Sequence, residues 1–297
     1  MIKRTLYFGN PTRLSVQQQQ LLIKTDDVER TIPIEDIGVI IIDHYQTSVT
    51  HAVMHLLLEN NVAFITCNDK HHPTGLMLNL DGNTLQSDRF KAQIEASEPL
   101  KKQLWQQTIK AKIANQKAVL DKWEIESSFM NRCLQKVLSG DTSNQEAQAA
   151  KYYWRNLLDE EEPDFFRARF GDYPNNFLNY GYAILRATVA RGLVASGLLP
   201  TLGIHHRNKY NAYCLADDIM EPYRPYVDHL VKEIVNDFPS ELELSKEIKK
   251  KLLEIPAINI VIDDNKSPLL VGLQRTTASL AACYDGELKK IIYPVFS

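Results

Sequence analysis

The sequence predicts an α+β protein of two domains. A small β-rich, β-sandwich-like N-terminal domain spans residues 1–80, a linker 81–97, and a larger all-α domain 98–297. Three observations carry this reading. The first 80 or so residues are short β-branched or alternating runs separated by turn-prone pieces. From about residue 95, apolar side chains recur at helical spacing almost to the end. Between the two lies DGNTLQSDR (81–89), polar and turn-rich.

Taken in order, LYF (6–8), LSVQQQQLLIK (14–24), RTIPI (30–34) and IGVIII (37–42) read as strands, with GNPT (9–12) and KTDD (24–27) as turns. TSVTHAVMHLLLEN (47–60) opens on hydroxyl residues suited to a helix cap, and Val53, Met54, Leu57 and Leu58 form its apolar stripe. VAFITC (62–67) and GLMLNL (75–80) return to strand. Helical periodicity then covers 98–120, 122–138, 144–160, 176–198, 215–237, 241–254 and 269–284.

Composition narrows the function classes. Hydrophobic content of 44% and charged content of 24% are those of an ordinary soluble protein. The net charge of −3 is not that of a general nucleic-acid binder, but its distribution is uneven: residues 101–225 carry 17 Lys and Arg against 14 Asp and Glu, whereas residues 1–100 carry 8 against 12. Cys67, Cys133, Cys214 and Cys283 are scattered with no CxxC pair, which argues against a zinc ribbon or a disulfide framework. The longest apolar run, IGVIII, is far short of the roughly 20 residues a membrane span needs. A cytoplasmic protein without membrane contact is expected.

The residues that could carry chemistry lie between 140 and 225. In TLGIHHRNKYNAYCLADDIMEPYRP (201–225), two adjacent histidines precede Asp217, Asp218 and Glu221. On a helix Glu221 shares a face with both aspartates. Carboxylates so placed call for a divalent cation or a basic partner, and Arg224, three residues on, is one such partner. A plain helix N-terminus is the reading the residues alone favour, since Asp217 and Asp218 suit the positive end of the dipole and Pro222 fits a first turn. Adjacent side chains diverge, so at most one of His205 and His206 should face a shared site. Glu146 has two readings as well, because Ser143-Asn144-Gln145-Glu146 matches a capping box. His51 and His55 lack the glutamate of a zinc helix, and His71 and His72 sit in a turn. No phosphate-binding glycine loop is present.

Several of these pieces together resemble the CRISPR-associated integrase of spacer acquisition. They are the LYFG…LLIK and IPIEDIGVIII strands, EAQAAKYYW (146–154), NNFLNYGYAIL (175–185), GLLPTLGIHH (197–206) and LADDIMEPYRPYVD (215–228). The last looks especially like members that accompany a single-protein RNA-guided effector nuclease. The resemblance implies catalytic metal ligands at Glu146, His206 and Glu221, with Asp218 as a supporting acid, and it selects the second histidine of Gly203-Ile204-His205-His206. It leaves Asp217 as a helix cap and His205 as a packing or DNA-facing side chain. One imidazole with carboxylates suits Mg²⁺ or Mn²⁺. The implied reaction is transesterification: the 3′-OH of a short DNA fragment attacks a phosphodiester at the edge of a CRISPR repeat.

The implied partners are double-stranded DNA with 3′-OH ends, CRISPR repeat DNA, a second copy of the chain joined through the β-rich domain, and a dimer of the small adaptation partner protein in a heterohexamer-like complex. The RNA-guided effector nuclease is a further one. DNA contacts are expected at Arg207, Lys209, Arg224, Arg167, Arg169 and Arg186, with Tyr152, Tyr153 and Trp154 available to stack or pack. Two rival readings use the same residues: a stand-alone metal-dependent structure-specific nuclease, and a non-catalytic DNA-binding scaffold.

Overall fold

The computed structural model describes residues 3–26, 28–158, 162, 165–168 and 171–297. The N-terminal part holds β1 (Arg4–Phe8), β2 (Arg13–Gln17), β3 (Gln20–Lys24), β4 (Glu29–Pro33), β5 (Ile37–Ile42), β6 (Ser48–Val49), α1 (His51–Glu59), β7 (Ala63–Cys67) and β8 (Pro73–Met77). These strands form two four-stranded sheets, in the orders β1-β5-β7-β8 and β4-β3-β2-β6. In the first, β1, β5 and β7 run parallel and β8 antiparallel.

The run read as one strand over 14–24 is a hairpin, turning at Gln18 and Gln19. Both glutamines take left-handed backbone angles, φ 48° and 61°, without the Asn or Gly that normally marks such a turn.

Strand β5 explains the continuous apolar run IGVIII. Ile37 and Ile40 pack with Leu14, Leu21, Val53 and Leu57 in a core between the sheets and α1. Val39 and Ile41 join the large helical core on the other face. Strand β7 divides the same way, with Phe64 on the first side and Ala63 and Ile65 on the second. A strand buried on both faces has no reason to alternate. The two cores therefore share one sheet. A buried ion pair crosses the same boundary, from Lys249 Nζ to Asp43 Oδ2 at 2.9 Å.

The helices are α2 (Gln86–Glu95), α3 (Glu98–Lys122), α4 (Ser128–Lys136), α5 (Gln145–Leu157), α6 (Asn175–Ala195), α7 (Cys214–Met220), α8 (Arg224–Asp237) and α9 (Lys246–Leu252). After them come a hairpin, β9 (Asn259–Ile262) and β10 (Asn265–Pro268), and α10 (Leu269–Tyr284). That hairpin is the departure from an all-α second half among the described residues. Within the stretch read as a linker, α2 is anchored: Gln93 Nε2 donates to the carbonyls of Leu199 and Leu202, each at 3.0 Å. Helix α3 opens on Pro99 in its first turn and runs 25 residues through the helical core. It carries a buried polar row, Thr108, Lys112, Asn115 and Gln116, in phase with its apolar side chains. The helix read over 215–237 breaks at Glu221–Tyr223, a short 3₁₀ turn between α7 and α8. Pro222 and Pro225 remove two amide donors there, so an unbroken helix could not be satisfied. No helix among the described residues is long and apolar enough to cross a membrane.

Candidate functional site

Three segments converge on the buried polar row of α3. Asn115 Nδ2 donates to the Pro222 carbonyl at 2.7 Å and so pins the 3₁₀ turn that carries Glu221. One turn earlier, Lys112 Nζ lies 2.6 Å from Glu221 Oε2 and 2.7 Å from Glu146 Oε1. The second oxygen of Glu221 accepts from Arg224 NH1 at 2.7 Å. Burial alone would raise the Glu221 carboxyl, but the Arg224 and Lys112 charges hold it at about 2. Burial likewise opposes the charge on Lys112, yet Glu221 and Glu146 outweigh it and lift the ammonium above its ordinary value. Two carboxylates and one ammonium form a cluster that is buried at Lys112 and Glu221 and partly open at Glu146.

Glu146 reaches this cluster because it does not cap its helix. Asp141 has that role: its two carboxylate oxygens accept from the Gln145 and Glu146 amides, each at 2.9 Å. Ser143 turns away and donates to the Lys136 carbonyl. The capping-box reading of Glu146 is therefore overturned, and its side chain is free to face Lys112.

The histidine loop is built around Asp218, which is fully buried. Asp218 Oδ2 accepts the His205 amide at 2.9 Å, Oδ1 accepts the His206 amide at 3.3 Å, and Oδ1 also bonds His206 Nδ1. That bond to Asp218, working against burial, raises the His206 pKa above its ordinary value, with Glu221 and Glu146 adding to the effect. His205 stacks flat on the buried Trp105, ring centroids 4.2 Å apart and planes within 1°, while His206 meets the same indole edge-on at 5.8 Å. Burial lowers its pKa. Gly203 is obligatory in this loop, because a Cβ there would lie 2.4 Å from the His206 carbonyl oxygen and 2.8 Å from Asp218 Oδ2.

The structure thus brings Glu146 and Glu221 together on Lys112 and ties His206 to Asp218. Among the described residues, no three His, Cys, Asp or Glu side chains already converge as a ligand set. The donors nevertheless fit a hard divalent ion. Two carboxylates already face one cation, and a carboxylate on His206 Nδ1 leaves Nε2 as the ligating nitrogen, the arrangement usual for metal-bound imidazole.

Asp217 does not cap α7; Arg186 Nε at 2.6 Å and Asn211 Nδ2 at 2.7 Å hold its carboxylate. Arg186 is committed to that pair, and Arg167 bonds Asn175 and Asn179 at 2.9 and 2.7 Å. Arg207 forks onto the exposed Glu98 at 2.8 and 2.6 Å, and Lys209 lies over the Tyr210 ring. Arg169 lies outside the described residues. Beside the acidic cluster opens a groove of about 960 Å³. It joins Lys112, Lys151, Arg155, Arg167 and Arg224 to Tyr152, Trp154, Phe165, Phe166 and Tyr182. Basic groups interleaved with aromatic faces suit a polyanion carrying planar bases. Lys112, Lys151, Arg155 and Trp105 are site residues that sequence reasoning missed. The in-phase polar row on α3 was the available signal for Lys112.

Asp228 forms the groove floor, bonded by the Tyr182 hydroxyl. Burial pushes its carboxyl up to about 6, only partly offset by the Tyr182 bond and the Arg224 charge. A carboxyl raised above its unfolded value stabilises the fold fully below pH ~4, and that stability is lost as pH rises through about 6. The unfolding free energy of the native chain, relative to Asp228→Asn, should therefore fall by up to about 3 kcal/mol between pH 4 and 7. Denaturant titrations of both proteins across that range check it, and parallel pH profiles would refute it.

Comparison with known proteins places the chain. The family model described as CRISPR associated protein Cas1 matches residues 6–254. A CRISPR-associated endonuclease Cas1 of Neisseria meningitidis is 37% identical over 297 residues, covering 99% of this chain and 96% of the relative. Among solved structures, a casposase bound to integration product superimposes with a TM-score of 0.81 at 22% identity, covering 98% of this chain and 92% of the other. A Cas6-RT-Cas1–Cas2 complex matches with a TM-score of 0.74 at 19% identity, covering 97% of this chain and 35% of the other. The two sheets, the helical second half and a family match over most of the chain agree: this protein belongs to the Cas1 family of CRISPR-associated proteins.

Proposed function

We propose that this chain is a metal-dependent DNA integrase of CRISPR adaptation, which inserts short DNA fragments as new spacers. The observation that carries the reading is the pairing of Glu146 and Glu221 on one buried cation, beside a histidine fixed by Asp218 and next to a basic, aromatic groove. Glu146, Glu221 and His206 are the side chains that would hold Mg²⁺ or Mn²⁺. Bound there, either ion supplies charge stabilisation to the attacking and departing oxygens of a phosphodiester. Asp218 keeps the imidazole in one tautomer and one orientation, and leaves Nε2 as the nitrogen available to a metal. Arg224 holds Glu221 in place and keeps its carboxylate ionised.

In the reaction, the fragment's 3′-oxygen forms a bond to phosphorus while the bond to the repeat strand's 3′-oxygen breaks. The proton leaves the attacking hydroxyl and the departing oxygen gains one. No covalent enzyme intermediate is required. The groove's basic side chains position the DNA backbone, and its aromatic faces receive unpaired bases. Arg207 and Lys209, exposed and next to His206 in the chain, are further DNA contacts on this reading. The β-rich domain (1–80) serves as the homodimer interface. The likeness to a Cas6-RT-Cas1–Cas2 complex supports a small partner protein, which on this reading sits between two such dimers.

Fragments ending in 3′-OH and in 3′-phosphate test this reading, incubated with the full chain, Mn²⁺ and a supercoiled plasmid carrying repeat DNA. Joined product is expected from the 3′-OH fragment alone, and Glu146→Gln is expected to abolish it. A protein that cuts DNA regardless of the fragment's 3′ end is a nuclease, and a fully active Glu146→Gln variant removes that residue from the site.

A further inference from the structure

Lys112 has no obvious place in a metal centre. Its ammonium stands between the two carboxylates that would receive the ion, at 2.7 and 2.6 Å, on a side chain only 9% exposed. With Arg224 also on Glu221, the two carboxylates are already neutralised by two cations. A dication added to that set would sit against an ammonium at contact distance beside the buried Glu221, where like-charge repulsion is less screened than in solvent. The ion and the Lys112 ammonium cannot both occupy the space between the glutamates.

The helix offers the ammonium a second position. Gln116 lies four residues along α3, on the same face, and lines the same groove as Lys112. It is 3% exposed, and its Oε1 has no hydrogen-bond partner among the described residues. A buried amide oxygen left without a donor is costly, and interiors seldom tolerate one without a reason. Its neighbour is a long, flexible donor that binding of a divalent ion would set free.

We propose that Lys112 is a displaceable internal cation. It holds Glu146 and Glu221 together in the metal-free protein, and it swings to Gln116 Oε1, at the groove wall, when a divalent ion takes the carboxylates. This rests on the metal-site reading above. The displaced ammonium then adds its charge to the groove that Arg155, Arg167 and Arg224 already line, so metal loading and affinity for a phosphate backbone rise together. Lys112 is by this account a positioning residue.

The experiment is Mn²⁺ binding to the full chain without DNA, followed by calorimetry and by the electron paramagnetic resonance of free Mn²⁺. In the native chain the ion must first evict the ammonium, which weakens its apparent affinity. Lys112→Met and Lys112→Gln, the second keeping a polar group should the first fold poorly, are expected to bind Mn²⁺ about tenfold more tightly. Both should melt lower than the native chain without metal, because two carboxylates lose their partner, and both should gain more from Mn²⁺. Gln116→Leu is expected to leave metal-free melting close to native and to weaken Mn²⁺ binding about threefold or more. A merely structural ion pair predicts the opposite for Lys112, so affinity tightened by less than about threefold, unchanged or weaker overturns the proposal. Unchanged affinity in Gln116→Leu overturns the second position. Absence of Mn²⁺ binding by the native chain, or full binding by His206→Ala, instead refutes the metal site itself.

Discussion

Replacing His206 with alanine is expected to reduce strand transfer roughly a thousandfold, whereas replacing its neighbour His205 leaves it within about tenfold of native. The two side chains are adjacent in sequence and have divergent surroundings. His206 is bonded at Nδ1 and at its own amide by one buried carboxylate, so its ring is oriented before any ligand arrives. Under the proposed metal site, removing it deletes the one nitrogen ligand, and it also removes the partner that Asp218 holds. His205 contributes a flat stack on Trp105 and an amide, and alanine keeps the amide. A stacked aromatic pair at a partly exposed site is worth about 1 kcal/mol, too little to collapse the loop. Mn²⁺-dependent joining of a 3′-OH fragment, measured for both variants beside their melting temperatures, decides the matter. Equal losses in the two would mean that the loop, and not His206, is what the reaction needs.

The second large effect belongs to a residue with no side chain. Gly203→Ala should lower strand transfer by about a hundredfold and the melting temperature by about 5 °C. The added Cβ would meet the His206 carbonyl oxygen at 2.4 Å, Asp218 Oδ2 at 2.8 Å and Cys214 Cβ at 3.1 Å. None of the three is the loose end of a flexible side chain. The carbonyl is backbone, the carboxylate is fully buried under three hydrogen bonds, and Cys214 opens α7. Relief therefore has to come from the 203–206 loop, which opens and carries the imidazole away from Asp218. Overpacking of this kind typically costs 1–3 kcal/mol. A variant with native melting and native activity would show that the loop is more pliant than this geometry allows.

How much of this was legible depended on whether a residue's partner lay nearby in the chain. Helix α10 begins and ends where its apolar period does, at 269 and 284, because it packs one stripe against the core. The run IGVIII announced a buried strand, though not that its two faces serve different cores. Turns made by unusual residues escaped notice. Gln18-Gln19 carries no glycine, and the turn of the second hairpin places Asp263 and Asp264 at φ 52° and 57°, a conformation that aspartate tolerates and the sequence marks only weakly. Glu146 had a sufficient local explanation in Ser143, and only the fold reveals that Asp141 had taken the capping role. Lys112 is the clearest case. Its partners lie 34 and 109 positions away, so no spacing rule connects them, and a lysine in a helix ordinarily belongs to solvent.

The sheet shared by the two cores has one more consequence. Rotating the N-terminal sheets against the helices would strip cover from Val39, Ile41, Ala63 and Ile65 and break Lys249 from Asp43, so packing opposes movement at that boundary. Whatever grips the outer face of the N-terminal sheets also orients the helices that carry Glu146 and Glu221, as an arm carries a tool. A partner seated on that outer face would therefore hold the Glu146–Glu221 pair at a set distance from itself, with the length built into the packing of β5 and β7.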